Sequence, residues 1–75
     1  MMENRAAIIK FQIETLRTAR EAIVREKEAT RRRLLVTVIP GRDTAIIVAA
    51  AAFDNAIQTI DTLIAGATDN LLKEI

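Results

Sequence analysis

The chain has 75 residues, no Cys and no His, and carries 11 Lys or Arg residues against 10 Asp or Glu residues. Without Cys and His it can form no disulfide and offers neither the thiolate nor the imidazole ligands that zinc usually takes. It also lacks the usual general base near neutral pH. Apolar residues make up 51% of the chain, whereas a core this small supplies only about 3–5 kcal/mol of stability. We therefore expect one domain that is stabilised by association with other chains.

The net charge of +1 hides a division of charge along the chain. Residues 1–42 hold ten basic and five acidic residues, and residues 43–75 hold one Lys and five acidic residues. This asymmetry predicts a basic helix that packs beside an acidic one. The alternative interpretation is a basic face for an anionic partner.

Residues 3–33 predict one long helix, because helix-favouring residues dominate and neither Gly nor Pro interrupts them. An apolar stripe follows helical spacing along Ile9, Ile13, Leu16 and Ile23. Three further apolar residues either broaden this stripe or form a second contact: Ile8, Phe11 and Ala22.

Residues 34–39 are apolar and rich in β-branched side chains, so they fit either a strand or the last turns of the first helix. Pro40 disfavours helix at Ile39, and the Pro40-Gly41 pair predicts a turn over residues 40–43. Asp43, or Thr44 one residue later, is the expected N-cap of a second helix. An α-β-β-α chain with a hairpin over residues 36–48 remains an alternative.

Residues 44–65 predict a second amphipathic helix with an apolar first half, Ala45 to Phe53. Gly66 is expected to end or bend it, and residues 69–75 to form a short third helix. The predicted fold is therefore all-α: an antiparallel helical hairpin with a short C-terminal helix, assembling by coiled-coil-like packing into a four-helix or larger bundle.

Two sets of residues are candidate contacts. For the oligomer interface the apolar periodicity selects Ile9, Ile13, Leu16, Ile23, Ile46, Ala49, Phe53, Ile57, Ile60 and Ile64. For a bound anion the arginine-rich patch selects Arg25, Arg31, Arg32, Arg33 and Arg42. Arg outnumbers Lys by eight to three, and its planar guanidinium suits phosphate and carboxylate groups.

The residue inventory predicts a protein that is not an enzyme and that holds no cofactor or metal. We expect a homo-oligomer that docks on a partner protein as adaptor, inhibitor or assembly subunit. The alternative is an oligomeric, Arg-lined binder of a nucleotide, phosphate or nucleic-acid backbone. The longest apolar run has nine residues, fewer than the ~20 that span a bilayer. We therefore expect a cytoplasmic protein without a membrane partner. A helix-turn-helix reader is excluded because the second helix opens with AIIVAAAA, which offers no polar groups to bases.

Overall fold

Two α-helices joined by a tight turn make up the structure, a computed structural model that describes residues 2–75. Helix α1 spans Met2–Val36 and helix α2 spans Arg42–Lys73. Arg20 contacts Asp61, and Lys27 further along α1 contacts Asp54 earlier in α2, so the helices run antiparallel. The predicted all-α helical hairpin is confirmed. Residues 2–75 contain no strand, so the α-β-β-α alternative is not adopted.

The ambiguous segment at residues 34–39 is divided between helix and turn. Helix α1 continues through Val36, three residues beyond the predicted end at residue 33. Its last carbonyl groups then find partners outside the helix. Thr37 donates its hydroxyl to Arg33 O at 2.6 Å and its N–H to Leu34 O at 3.3 Å. Arg42 Nη1 donates to Leu35 O at 3.3 Å. These bonds satisfy acceptors that a helix end leaves free.

Gly41 reverses the chain between the two helices. It has φ 75° and ψ 14°, the left-handed conformation that glycine adopts without steric cost. Gly41 is the N-cap of α2, and its carbonyl accepts the N–H of Ala45 at 2.9 Å. Asp43, the predicted N-cap, instead lies in the first helical turn, where its charge complements the helix dipole. The turn therefore covers residues 37–41 rather than 40–43.

Helix α2 does not break at Gly66. It continues to Lys73, so the expected short helix over residues 69–75 is the last part of α2. A glycine inside a helix costs about 1 kcal/mol relative to alanine, which is not enough to end a helix that packs against a neighbour. Within this continuous helix Thr68 donates its hydroxyl back to Ile64 O at 2.8 Å.

The hairpin is long and thin, with extents of 58 × 15 × 11 Å. Only two apolar side chains of the described part are buried, Ile9 at 8% and Ile13 at 7% exposure. Both lie in the half of the hairpin that holds the chain termini. Two helices alone cover only one face of each other, so the remaining apolar surface stays in contact with solvent.

Candidate interaction surfaces

One long side of the hairpin, the charged flank, holds two ion pairs between the helices, and a further pair, Arg5 with Glu74 at 3.1 Å, joins the helices at the end that holds the chain termini. Arg20 Nε donates to Asp61 Oδ1 at 2.6 Å, and Lys27 Nζ donates to Asp54 Oδ1 at 2.6 Å. The hydrogen bond from Arg20 to Asp61, and then the carboxylate charge, raise the pKa of Arg20 above its ordinary value. The predicted packing of a basic helix beside an acidic one is thus realised through specific pairs.

The charged flank continues towards the chain termini as a groove that carries ionisable side chains from α1. Lys10, Glu14 and Arg17 line this groove together with Phe11 and Ile13, opposite Thr68 and Leu71 of α2, so Phe11 borders both grooves. Charged groups at the flank of an exposed helix pair remain hydrated and keep that surface soluble. We therefore expect the charged flank to remain in contact with solvent.

The opposite side, the uncharged flank, is a groove of about 600 Å³ without a single charged lining residue. Both helices contribute, and the lining consists of Ile9, Phe11, Gln12, Thr15, Leu16, Thr62, Leu63, Gly66, Ala67 and Asn70. The ring of Phe11 stands largely in solvent on the rim, and Leu63 is also exposed. A groove of this size between two helices, with apolar walls and a few amides and hydroxyls, suits a packed helix better than it suits water.

The uncharged character extends along α2 towards the turn. Counting back from Leu63 in steps of three and four residues, the same face of α2 presents Thr59, Asn55, Ala52 and Val48. None of these is charged, and all four are exposed. The acidic residues Asp54 and Asp61 lie on the other side of the helix, paired with α1.

The single hairpin exposes more surface area than a compact protein of the same mass. The chain exposes 5872 Å², whereas a compact monomer of 8.3 kDa exposes roughly 4,600 Å² by the usual scaling of area with mass. The excess is on the order of 1,300 Å² by that scaling, and a standard protein interface buries about 800 Å² per partner. The surplus exposed area is therefore sufficient for one stable interface.

The ten residues predicted for the oligomer interface lie where α1 and α2 face each other. Ile9 and Ile13 are buried, and the other eight are half-buried. The hairpin uses this apolar periodicity to join its own two helices. The predicted role of these residues in oligomer formation stays a prediction, because only their outer edges are left free for another chain.

The five arginines predicted for an anion site do not converge. Arg33 donates to Glu26 at 3.0 Å, and Arg42 caps α1 through Leu35 O. Arg31 and Arg32 are exposed, and neither forms an ion pair within residues 2–75. Successive helix residues point about 100° apart, so a single hairpin gathers no shared phosphate pocket from them.

Two further features concern metals and membranes. Among the side chains of residues 4–75 no three acidic groups come close enough to hold a metal ion. By length and composition alone α2 is apolar enough to cross a membrane, a test that the core helices of soluble proteins also pass. However, Asp54 and Asp61 occupy its middle and are ion-paired with α1, and such groups are costly in hydrocarbon.

Comparison with known proteins gives no relative for this chain. No protein-family model, no curated protein and no solved structure matches it. The interaction surfaces are therefore interpreted from their own chemistry.

Proposed function

We propose that the protein is a non-enzymatic helical assembly protein whose hairpins associate with one another through the uncharged flank. The resulting bundle would then serve as an assembly subunit or adaptor for a partner protein. The observation that carries this proposal is the groove of about 600 Å³ that has no charged lining residue on an otherwise ion-paired hairpin.

A second copy of the chain fits this flank by charge and by shape. Packing the two uncharged flanks together leaves the ion pairs Arg20–Asp61 and Lys27–Asp54 in water, so neither of these pairs is desolvated. In a two-fold symmetric dimer the same residues form the interface on both copies. Phe11, on the rim of the groove, can then enter the groove of the other copy and remove its ring from water.

Small residues allow close approach on the α2 side of this flank. A Cβ added at Gly66 meets no atom within 4 Å, so nothing in the single hairpin requires glycine there. Less side-chain bulk brings the axes of two packed helices closer together. Two hairpins joined in this way give the four-helix bundle that the sequence predicts.

The test is the mass of the protein in solution, measured by size-exclusion chromatography with light scattering at low and high salt. We expect an oligomer at both salt concentrations, because apolar association does not weaken with added salt. Leu63→Asp, in the groove, should reduce the mass to that of one chain while the far-ultraviolet circular dichroism stays helical. A monomeric wild type, or an unchanged mass for Leu63→Asp, contradicts the proposal.

Leu72→Asp is the matched control. Leu72 lies eleven residues, or three helical turns, after Asp61 and therefore on the charged side of α2. Its exposure of 63% is close to the 54% of Leu63. This variant should keep the wild-type mass. Absorbance at 260 nm in the same run tests for a bound nucleotide, because the chain has no Trp or Tyr.

A further inference from the structure

The turn end of the hairpin carries a second apolar surface, separate from the uncharged flank. We call it the apolar tip, and it consists of Leu35, Val36, Val38, Ile39 and Ile47. All five side chains are exposed, and Val38 at 94% is almost fully in solvent. Leaving large aliphatic side chains in water costs roughly 25 cal/mol per Å² of apolar area. Large exposed apolar side chains that lie together at one end of a protein are typical of interaction sites.

Several arginines lie close to the apolar tip in the chain, and their positive charge favours an anionic surface as its partner. We call Arg31, Arg32, Arg33 and Arg42 the basic collar. The last collar residue of α1 precedes Val36 by three residues and Val38 by five. At ~1.5 Å per residue Val36 thus lies roughly 5 Å beyond Arg33 along α1, and residues 37–39 follow after the helix has ended. Peripheral membrane segments bury their apolar faces about 5–10 Å deep, with basic side chains at the lipid phosphates.

The part of α2 near the turn is also almost free of charge. From Thr44 to Phe53 helix α2 carries no charge. Asp43 is the one acidic residue at the turn, and its side chain is 91% exposed. Arg42 Nε lies 3.8 Å from its carboxylate and partly neutralises it. Asp43 therefore opposes contact with an anionic surface, while the four collar arginines favour it.

A second copy of the chain is a poor occupant of the tip. Two tips placed end to end would bring two basic collars together, and like charges at close range repel. The uncharged flank has no such obstacle, so self-association and the tip use different surfaces. An anionic lipid surface satisfies both features of the tip, because its acyl boundary accepts the aliphatic side chains and its phosphates pair with the collar.

We propose that the apolar tip inserts into the interfacial region of an anionic lipid membrane, with the basic collar on the lipid phosphates and the hairpin standing away from the surface. The chain touches the bilayer without crossing it. The expectation of no membrane partner depended only on the absence of a spanning apolar run, and a tip of this kind needs none. The inference is independent of the proposed self-association, since the two surfaces share no residue.

Co-sedimentation with vesicles of phosphatidylcholine containing 30% phosphatidylserine tests this inference, with pure phosphatidylcholine vesicles beside them. Wild type should bind the anionic vesicles and bind the neutral ones at least tenfold more weakly. Val38→Asp should weaken binding to the anionic vesicles at least tenfold, because it places a second acid at the tip. Arg31→Gln with Arg32→Gln should do the same and should flatten the salt dependence. Asp43→Asn should strengthen binding.

Ile75→Asp is the matched control, because Ile75 is 91% exposed and lies at the opposite end of the hairpin. It should bind like wild type. Insertion is measured separately by the fluorescence of two single-Trp variants, Ile39→Trp and Ile75→Trp, because the chain has no Trp of its own. Only the first should shift its emission to the blue on anionic vesicles.

Three results overturn the inference. The first is wild type that binds neither vesicle, which would leave the tip to a protein partner. The second is Val38→Asp that binds like wild type while the arginine variant does not, which would mean adsorption by charge without insertion. The third is an equal loss for Ile75→Asp, which would mean that the tip has no special role. None of these results depends on the oligomer mass, so the two proposals fail or stand separately.

Discussion

The two flanks of the hairpin differ although the same two helices form both. On the charged flank α1 and α2 meet through Arg20–Asp61 and Lys27–Asp54, and ionisable side chains continue to the end of the groove. On the uncharged flank the groove between the same helices offers only apolar, amide and hydroxyl groups. Exposed ion pairs contribute little to stability. The two flanks therefore differ in polarity: charges are paired and hydrated on one side, and the groove on the other side has no charged lining residue.

The largest effect should come from placing one charge on each flank in turn. Thr62 lines the uncharged groove and Thr68 the charged one, and each donates its hydroxyl to the carbonyl four residues earlier. Thr62→Glu should weaken self-association at least tenfold, or about 1.4 kcal/mol, because the carboxylate would be buried without a partner. Analytical ultracentrifugation over a range of concentrations measures the dissociation constant.

Thr68→Glu is the control for that substitution. Its carboxylate would lie near Lys10 and Arg17, which line the same groove, so self-association should not weaken. Equal effects of the two substitutions would remove the distinction between the flanks.

A smaller effect should follow from Gly66→Ala, and its sign is informative. In a single hairpin the added methyl group meets no atom within 4 Å. Alanine should then stabilise α2 by up to about 1 kcal/mol. If a second copy packs closely on the uncharged flank, the same methyl group should weaken self-association. Urea unfolding at low concentration and ultracentrifugation at high concentration separate the two effects. A gain in both would show that no helix approaches Gly66 closely.

The smallest effect is expected on the charged flank. Lys27 and Asp54 form a 2.6 Å pair, but their side chains are 32% and 59% exposed. A double-mutant cycle with Lys27→Met and Asp54→Asn should give a coupling free energy of at most about 1 kcal/mol, and less in 1 M salt. The oligomer mass should not change in any of the three variants. Loss of the oligomer would place the interface on this flank instead.

Several features of the fold followed from the sequence because they depend on local chemistry. The 4-residue step from Ile9 to Ile13 and the 3- and 4-residue steps from Phe53 through Ala56 to Ile60 predict amphipathic helices, and Pro40-Gly41 predicts the turn. The exact ends were less predictable. Thr37 and Arg42 satisfy the last carbonyls of α1, and such capping depends on how the chain returns.

The uncharged flank was only partly visible in the sequence. Each helix taken alone shows a face without charge: Phe11 and Thr15 on α1, and Thr59 and Leu63 on α2. From the sequence, Phe11 is expected either to broaden the apolar stripe of α1 or to form a second contact. Helical spacing does not show that both faces lie on one side of the hairpin. That depends on the side on which α2 passes α1, which the periodicity of neither helix specifies.

The sequence by itself determined that this protein is two amphipathic helices separated by a turn, because helix propensity and apolar spacing act within a few residues. The tertiary structure decided that α2 passes through Gly66 without a break, and that the pairs Arg20–Asp61 and Lys27–Asp54 lie on one flank. It also decided that the aliphatic side chains of Leu35, Val36, Val38 and Ile39 remain in solvent. These features depend on contacts between residues far apart in the chain, and only packing one helix against the other fixes which faces are covered.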